Sequence, residues 1–294
     1  MVAQPLSPLE PATIAEMDGE GIDGLLARLG AHIPTEPTLS LVPEGPARTL
    51  AVIGDTHGDW RCTAQATRWF LDSPKDRAFV GLGDYIDRAP RDCPGGSAVN
   101  ALHLLSLKAA YPNRVYLLQG NHEATRRLPA FPHTLPEEMA ARWGEDPDRY
   151  SRLMTLLERG PLAAYTSSGI FLAHGGFPER LTQPWTDRFR TVDESLMADL
   201  LWRDASLSEL DRGVSPPFDG TALDRFFLIS GLAIFLRGHD PDVVGQRLYG
   251  DRCLTIHTCR LYRQYGGILT VHAPLAPAVR SLADVDVIPM RVDG

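Results

Sequence analysis

Cysteine is scarce in this sequence, with four residues in 294. Cys62, Cys93, Cys253 and Cys259 form no CxxC pair and no zinc-binding spacing. Neither a disulfide-stapled scaffold nor a structural zinc ribbon is therefore expected, and the four read as reduced thiols of a cytoplasmic protein. Long apolar runs are missing too. Nothing approaches the roughly 20 residues that span a bilayer. The N-terminus lacks a basic region leading into an apolar one, so no secretory signal is expected. Basic charge is also in deficit, with 29 Lys and Arg against 37 Asp and Glu and a net charge of −8. Proteins that track nucleic-acid phosphates are normally basic, so nucleic acid is not an expected partner, and neither is an anionic membrane. Internal repeats and low-complexity tracts are absent.

What is present is an ordinary globular composition, 44% hydrophobic and 22% charged. A chain of this size can bury a core without a disulfide or a metal merely to fold. Residues 1–48 read as a peripheral appendage. Ile22, Leu25, Leu26 and Leu29 fall at helical spacing, and Pro34, Pro37, Pro43 and Pro46 then punctuate a linker-like run. From residue 49 to 294 the texture is that of one α/β domain, in which short apolar runs alternate with helical patterns. Helices are expected over 96–111, 148–158, 193–202 and 221–229, and further strands over 253–258, 267–273 and 284–290.

Five apolar runs share one ending. LAVI (50–53) leads into GDTHGD, AFVGL (78–82) into GDYIDR, and VYLLQ (115–119) into GNHE; IFLA (170–173) leads into HGG and LAIFL (232–236) into RGHD. Each time a buried strand delivers metal-capable side chains beside a glycine at its C-terminal end, which is where ligand sites of open α/β sheets lie. Asp55, His57, Asp84, Asn121, His174 and His239 supply three imidazoles, two carboxylates and an amide oxygen. That mixed set suits Mn²⁺, Fe or Zn²⁺. It is too rich for one ion, yet it serves two ions that share a bridging carboxylate, with Asp84 as the natural bridge. Taken singly, Asp55 or Asp84 reads equally well as a helix N-cap and His174 as a hydrogen-bonded core histidine. Six such residues at successive strand ends are hard to explain that way. His32, His103, His133, His257 and His272 fall outside the pattern and read as surface or satisfied structural histidines.

The ordered motifs GDTHGD, GDYIDR, GNHE, HGG and RGH resemble the signature of the calcineurin-like metallophosphoesterases. LLWRD (200–204) and DRGVS (211–215) resemble further segments of the phosphoprotein phosphatase family of serine/threonine phosphatases. The resemblance runs from about Leu50 to Val271. It implies an α/β fold built on a β-sandwich with flanking helices, with a dimetal site at the C-terminal ends of the strands. It places Asp55, His57 and Asp84 on one metal and Asp84, Asn121, His174 and His239 on the other. His122 falls at the position of the general acid and Asp87 at that of the carboxylate orienting it. Arg88, Arg212, Asn121 and Tyr262 fall at phosphate-binding positions.

The implied activity is hydrolysis of phosphoserine and phosphothreonine on proteins by direct attack of a metal-bridging hydroxide. Two divalent ions are implied, Mn²⁺ first. Phosphoproteins or phosphopeptides are the implied partners, and no regulatory subunit can be named. A diadenosine-polyphosphate hydrolase and an inactive phosphate-binding scaffold are the alternatives. Several positions depart from the family pattern: Ala89 stands for a common glycine, Gln119 for an arginine and Arg263 for a cysteine. The segment ATRRLPAFPHTLPEE after Glu123 does not resemble the usual eukaryotic one.

Overall fold

The computed structural model describes residues 6–45, 47–207 and 213–292. The strands are β1 (Leu39–Val42), β2 (Thr49–Ile53), β3 (Arg77–Gly81), β4 (Val115–Leu117), β5 (Ala163–Thr166), β6 (Ile170–Ala173), β7 (Ile234–Arg237), β8 (Arg247–Leu248), β9 (Cys253–Thr255), β10 (Leu269–Pro274) and β11 (Asp286–Pro289). The helices are α1 (Pro11–Ala15), α2 (Gly19–His32), α3 (Trp60–Asp72), α4 (Gly96–Ala110), α5 (Leu135–Trp143), α6 (Pro147–Leu157), α7 (Glu194–Trp202), α8 (Gly220–Ser230) and the short α9 (Arg263–Gly266). The strands and helices read from the apolar pattern coincide with these elements to within a few residues.

The strands form two sheets. One has the order β1-β5-β6-β7-β9-β8 and the other β11-β10-β2-β3-β4. Period-two alternation decides how they pack. Leu50 and Val52 of β2, Ala78 and Val80 of β3, Ile170 and Leu172 of β6 and Ile234 and Leu236 of β7 share one core between the sheets. Their neighbours turn the other way. Ala51, Ile53 and Phe79 meet the helices α1 to α6, while Phe171, Ala173 and Phe235 meet α7 and α8. The strands carry apolar residues on both faces because both faces are covered. The result is a helix–sheet–sheet–helix sandwich.

Five helices begin on aspartate caps, Asp18, Asp59, Asp146, Asp193 and Asp219, each accepting from a backbone N–H of the first turn. Asp55 and Asp84 are not among them. Residues 1–48 do more than hang on the surface. Ile14, Ile22, Leu25, Leu26 and Leu29 are buried in the core with α4 and α6. β1 pairs in parallel with β5 through Leu39–Ala163 and Val42–Thr166. The run read as linker thus contains an edge strand, and the described residues pack continuously across the 48/49 boundary. Its prolines lie outside the four-residue strand, which is why the punctuation concealed it.

Candidate metal centre

Two parallel trios meet at one rim. β2, β3 and β4 run parallel in one sheet, and β6, β7 and β9 run parallel in the other. Their carboxyl ends therefore deliver their loops to the same side. The sheets are stitched together there. Asp55 and His257 form a parallel bridge, and Thr258 N donates to Asp55 O at 2.9 Å. Gly54 permits this approach, since a Cβ on it would lie 1.6 Å from the carbonyl oxygen of Ile256.

The loops hold strained backbone. His57, Asp84, Asp87, Arg88 and His239 have φ of +41°, +55°, +66°, +59° and +72°. Non-glycine residues in this region cost about 1–3 kcal/mol each and persist only when the surroundings over-determine them. Glu123 is one such determinant. Its fully buried carboxylate accepts from the backbone N–H groups of Asp84 (2.7 Å), Tyr85 (2.8 Å) and Gly120 (2.8 Å).

The side chains converge in two groups that share Asp84. One holds His57, Asp84 and His122, the other Asp84, His174 and His239, each with its donor atoms within 4.8 Å of one another. His57 Nδ1 faces Ile86 O at 3.1 Å and His174 Nδ1 faces Leu82 O at 3.1 Å. Carbonyls accept, so each Nδ1 carries the proton and each Nε2 keeps its lone pair. His57 Nε2 stands 3.7 Å from Asp84 Oδ2 and 3.9 Å from Asp55 Oδ2. His174 Nε2 stands 3.4 Å from Asp84 Oδ2 and 3.1 Å from His239 Nδ1. One end of the Asn121 amide lies 3.0 Å from His174 Nε2 and 3.1 Å from both Asp84 oxygens. With its nitrogen inward the amide donates to all three atoms; with its oxygen inward three acceptors meet at one point, an arrangement that a cation would relieve. There is no room for another side chain, because a Cβ on Gly120 would come within 2.2 Å of Asp84 Oδ1.

Electrostatics agree. Burial raises the Asp55 carboxyl to about 7. Burial and then the neighbouring Asp55 charge push Asp84 well above its usual range. Burial holds His57 and His174 well below theirs, so both imidazoles are neutral. Two reluctant carboxylates among neutral imidazoles, with water excluded, form a site built for positive charge.

His122, a member of the first group, has its Nδ1 2.5 Å from Asp87 Oδ2. Its Nε2 is buried and has no partner among the described residues. On the half-exposed rim Arg88 Nη1 donates to Tyr262 Oη at 2.8 Å. The structure thus brings together Asp55, His57, Asp84, Asp87, Arg88, Asn121, His122, His174, His239 and Tyr262. Arg212 lies outside the described residues.

Two histidines read as bystanders belong here. His257 Nε2 is 3.4 Å from Asp55 Oδ2. The signal was available, because CLTIHT also carries a histidine out of a strand, and β9 is parallel to β7. His133 Nδ1 is 2.9 Å from Asp87 Oδ2, and no pattern in the sequence marked it. His103, by contrast, is structural, facing Thr67 Oγ1 and Leu9 O.

A sequence model of the calcineurin-like phosphoesterases matches residues 48–242. The chain belongs to that family. Among its relatives is the PP2A-like serine/threonine-protein phosphatase PPG1 of Candida albicans, 29% identical over 72% of this chain and 52% of that protein. The chain spans about half the length of the curated relatives it matches. A protein serine/threonine phosphatase of Saccharomyces cerevisiae superposes with a TM-score of 0.72 at 20% identity, covering 95% of this chain and 92% of that one. A cold-active protein-tyrosine phosphatase of a psychrophilic Shewanella shares the fold more loosely, with a TM-score of 0.51 at 16% identity over 81% and 78% of the two chains. Among the described residues of this calcineurin-like phosphoesterase, no helix is long and apolar enough to cross a membrane.

Proposed function

We propose that this phosphoesterase hydrolyses phosphoserine and phosphothreonine monoesters on proteins with two divalent ions, Mn²⁺ first and Fe or Zn²⁺ next. The observation that carries this is the pair of ligand groups sharing Asp84, with the His122–Asp87 pair beside it and Arg88 on the rim. Asp55, His57 and Asp84 would hold one ion, and Asp84, Asn121, His174 and His239 the other. Ions held there would supply the Lewis acidity that makes water nucleophilic near neutral pH and screens a dianionic phosphate.

The chain's own groups do the rest. Asp87 keeps the Nδ1 proton of His122 in place and favours its charged form, so Nε2 can protonate the departing alkoxide. Arg88 presents a planar fork to the phosphoryl oxygens, and Tyr262 holds that fork in position. Arg212 is expected to supply a second guanidinium and the Asn121 amide a further contact. The four cysteines, all unpaired and buried, fit a reducing cytoplasm.

Turnover of a phosphopeptide panel by Mn²⁺-loaded protein tests the reading. Phosphoserine and phosphothreonine peptides should be cleaved far faster than phosphotyrosine peptides or diadenosine tetraphosphate. Faster dinucleotide cleavage would replace this reading with the dinucleotide hydrolase. Metal binding without any turnover would replace it with the scaffold.

A further inference from the structure

Asp87 carries more than one imidazole. Its Oδ2 faces His122 Nδ1 at 2.5 Å and His133 Nδ1 at 2.9 Å. Its Oδ1 accepts from the backbone N–H groups of Thr134 at 2.7 Å and Leu135 at 2.9 Å. On the far side of the His133 ring, Nε2 lies 2.9 Å from Tyr150 Oη in α6. A carboxylate only accepts, so Asp87 requires the proton on His133 Nδ1, and the Tyr150 hydroxyl, which can donate, can serve the other ring nitrogen. His133 therefore donates to Asp87. The Asp87 side chain is fully buried and that of His133 nearly so, at 16% exposure. Burial alone would raise the Asp87 carboxyl. The hydrogen bonds from His122 and His133 outweigh it and keep Asp87 anionic.

The same short stretch holds the neighbouring arginine. Phe131 O accepts from Arg88 Nη2 at 3.1 Å, and Arg88 N donates to Thr134 Oγ1 at 3.3 Å. Residues 131–135 thus form a strap over the two residues that GDYIDR sends into the site. This strap falls within the stretch of sequence that departs from the family pattern.

Resting on the function proposed above, we infer that His133 is a positioning residue for phosphoester cleavage. It acts through Asp87, fixing the direction of Oδ2. The direction matters because the His122 ring follows the oxygen that holds its Nδ1. A rotated carboxylate would turn Nε2 away from the leaving oxygen. A packing histidine would need only some acceptor. This one gives its Nδ1–H to the carboxylate that orients the proton donor, and a tyrosine hydroxyl holds the far ring nitrogen.

Three variants test this: His133→Ala, His133→Asn, whose amide N–H can replace Nδ1–H, and Tyr150→Phe. With one charge-assisted hydrogen bond lost, His133→Ala should lower kcat on a phosphoserine peptide about tenfold, with KM unchanged. On 4-nitrophenyl phosphate, whose leaving group needs little protonation, kcat should change less than about twofold. His133→Asn should recover most of the peptide rate, and Tyr150→Phe should fall between His133→Ala and the wild type. Metal content by elemental analysis should stay at the wild-type level. In proton NMR the downfield resonance of His122 Nδ1–H should move in His133→Ala and return toward its wild-type position in His133→Asn.

Equal losses on both substrates, with asparagine no better than alanine, would overturn the inference, as would an unmoved His122 resonance. If His133→Ala does not fold, the other two variants decide it. Asparagine must then match the wild type, and Tyr150→Phe must lose rate on the peptide alone. Should the wild type cleave the aryl phosphate and no phosphopeptide, the functional proposal fails, and the NMR comparison still decides the role of His133.

Discussion

Arg88 and Tyr262 stand 174 positions apart in the chain and share a 2.8 Å hydrogen bond from guanidinium to phenol. Arg88 follows β3 in one sheet, while Tyr262 follows β9 in the other. The bond therefore spans the seam of the sandwich at the rim of the candidate metal centre. Together with the bond from Arg88 Nη2 to Phe131 O, it restricts how the long side chain can swing.

The Arg88–Tyr262 pair should separate binding from positioning. Arg88→Ala should lower kcat/KM by about 10²-fold or more, in line with losing a preorganised transition-state contact. Arg88→Lys should recover only part of this, because an ammonium lacks the bidentate geometry. Tyr262→Phe should cost about tenfold or less, the worth of one hydrogen bond that acts through its partner. Steady-state kinetics on one phosphopeptide check the order. A Tyr262→Phe defect as large as that of Arg88→Ala would place the phenol on the substrate itself.

Proton donation by His122 predicts a dependence on the leaving group. His122→Asn should retain its metals and lose about 10²–10⁴-fold in kcat on an alkyl phosphate. The loss should shrink steadily across aryl phosphates as the leaving-group pKa falls. A uniform loss along that series would remove His122 from the proton-transfer step.

The shared carboxylate predicts two metals that depend on each other. Elemental analysis should find about two ions per chain, from the two-ion reading of the ligand set. Asp84→Asn should deplete both, because the bridge loses its charge. Chelation should abolish turnover and lower the unfolding midpoint by ligand linkage, and Mn²⁺ should restore both. Full occupancy of one site in Asp84→Asn would show that the bridge is not shared.

Asp23 provides a test away from the metals. Its carboxylate lies 3.0 Å from Arg149 Nη2 and also pairs with Arg152, which joins α2 to α6. The Arg149 hydrogen bond lowers the Asp23 carboxyl below its ordinary 3.8. The folded value lies under the unfolded one, so the stabilisation is full above about pH 4 and disappears as the carboxylate protonates below it. Asp23→Asn should cost about 0.5–1 kcal/mol at pH 7, with partial exposure keeping it small, and almost nothing near pH 3. Urea unfolding of both proteins at several pH values checks this. Deleting residues 1–48 should do far more damage, since it uncovers α4 and strips the β5 edge. A stable, folded 49–294 fragment would show the segment to be dispensable.

Much of this molecule is legible along the chain because its strands are short, apolar and end on glycine-flanked polar motifs. Periodicity located β2, β3, β4, β6 and β7, and side-chain chemistry picked out Asp55, His57, Asp84, Asn121, His174 and His239 at or beyond their ends. Those are local properties, carried by a few adjacent residues and readable without knowing what lies opposite. Three things needed the tertiary structure. β1 is a four-residue edge strand that acquires its identity from β5, a partner more than a hundred residues later. His257 could be read as one more strand-end histidine, but only the parallel bridge sets it against Asp55. His133 lies in a segment with no periodic pattern, and only the fold carries it to Asp87. The physical reason is the same in each case. A hydrogen bond or an ion pair is defined by two groups at about 3 Å, and when they are distant in sequence neither group alone encodes the distance.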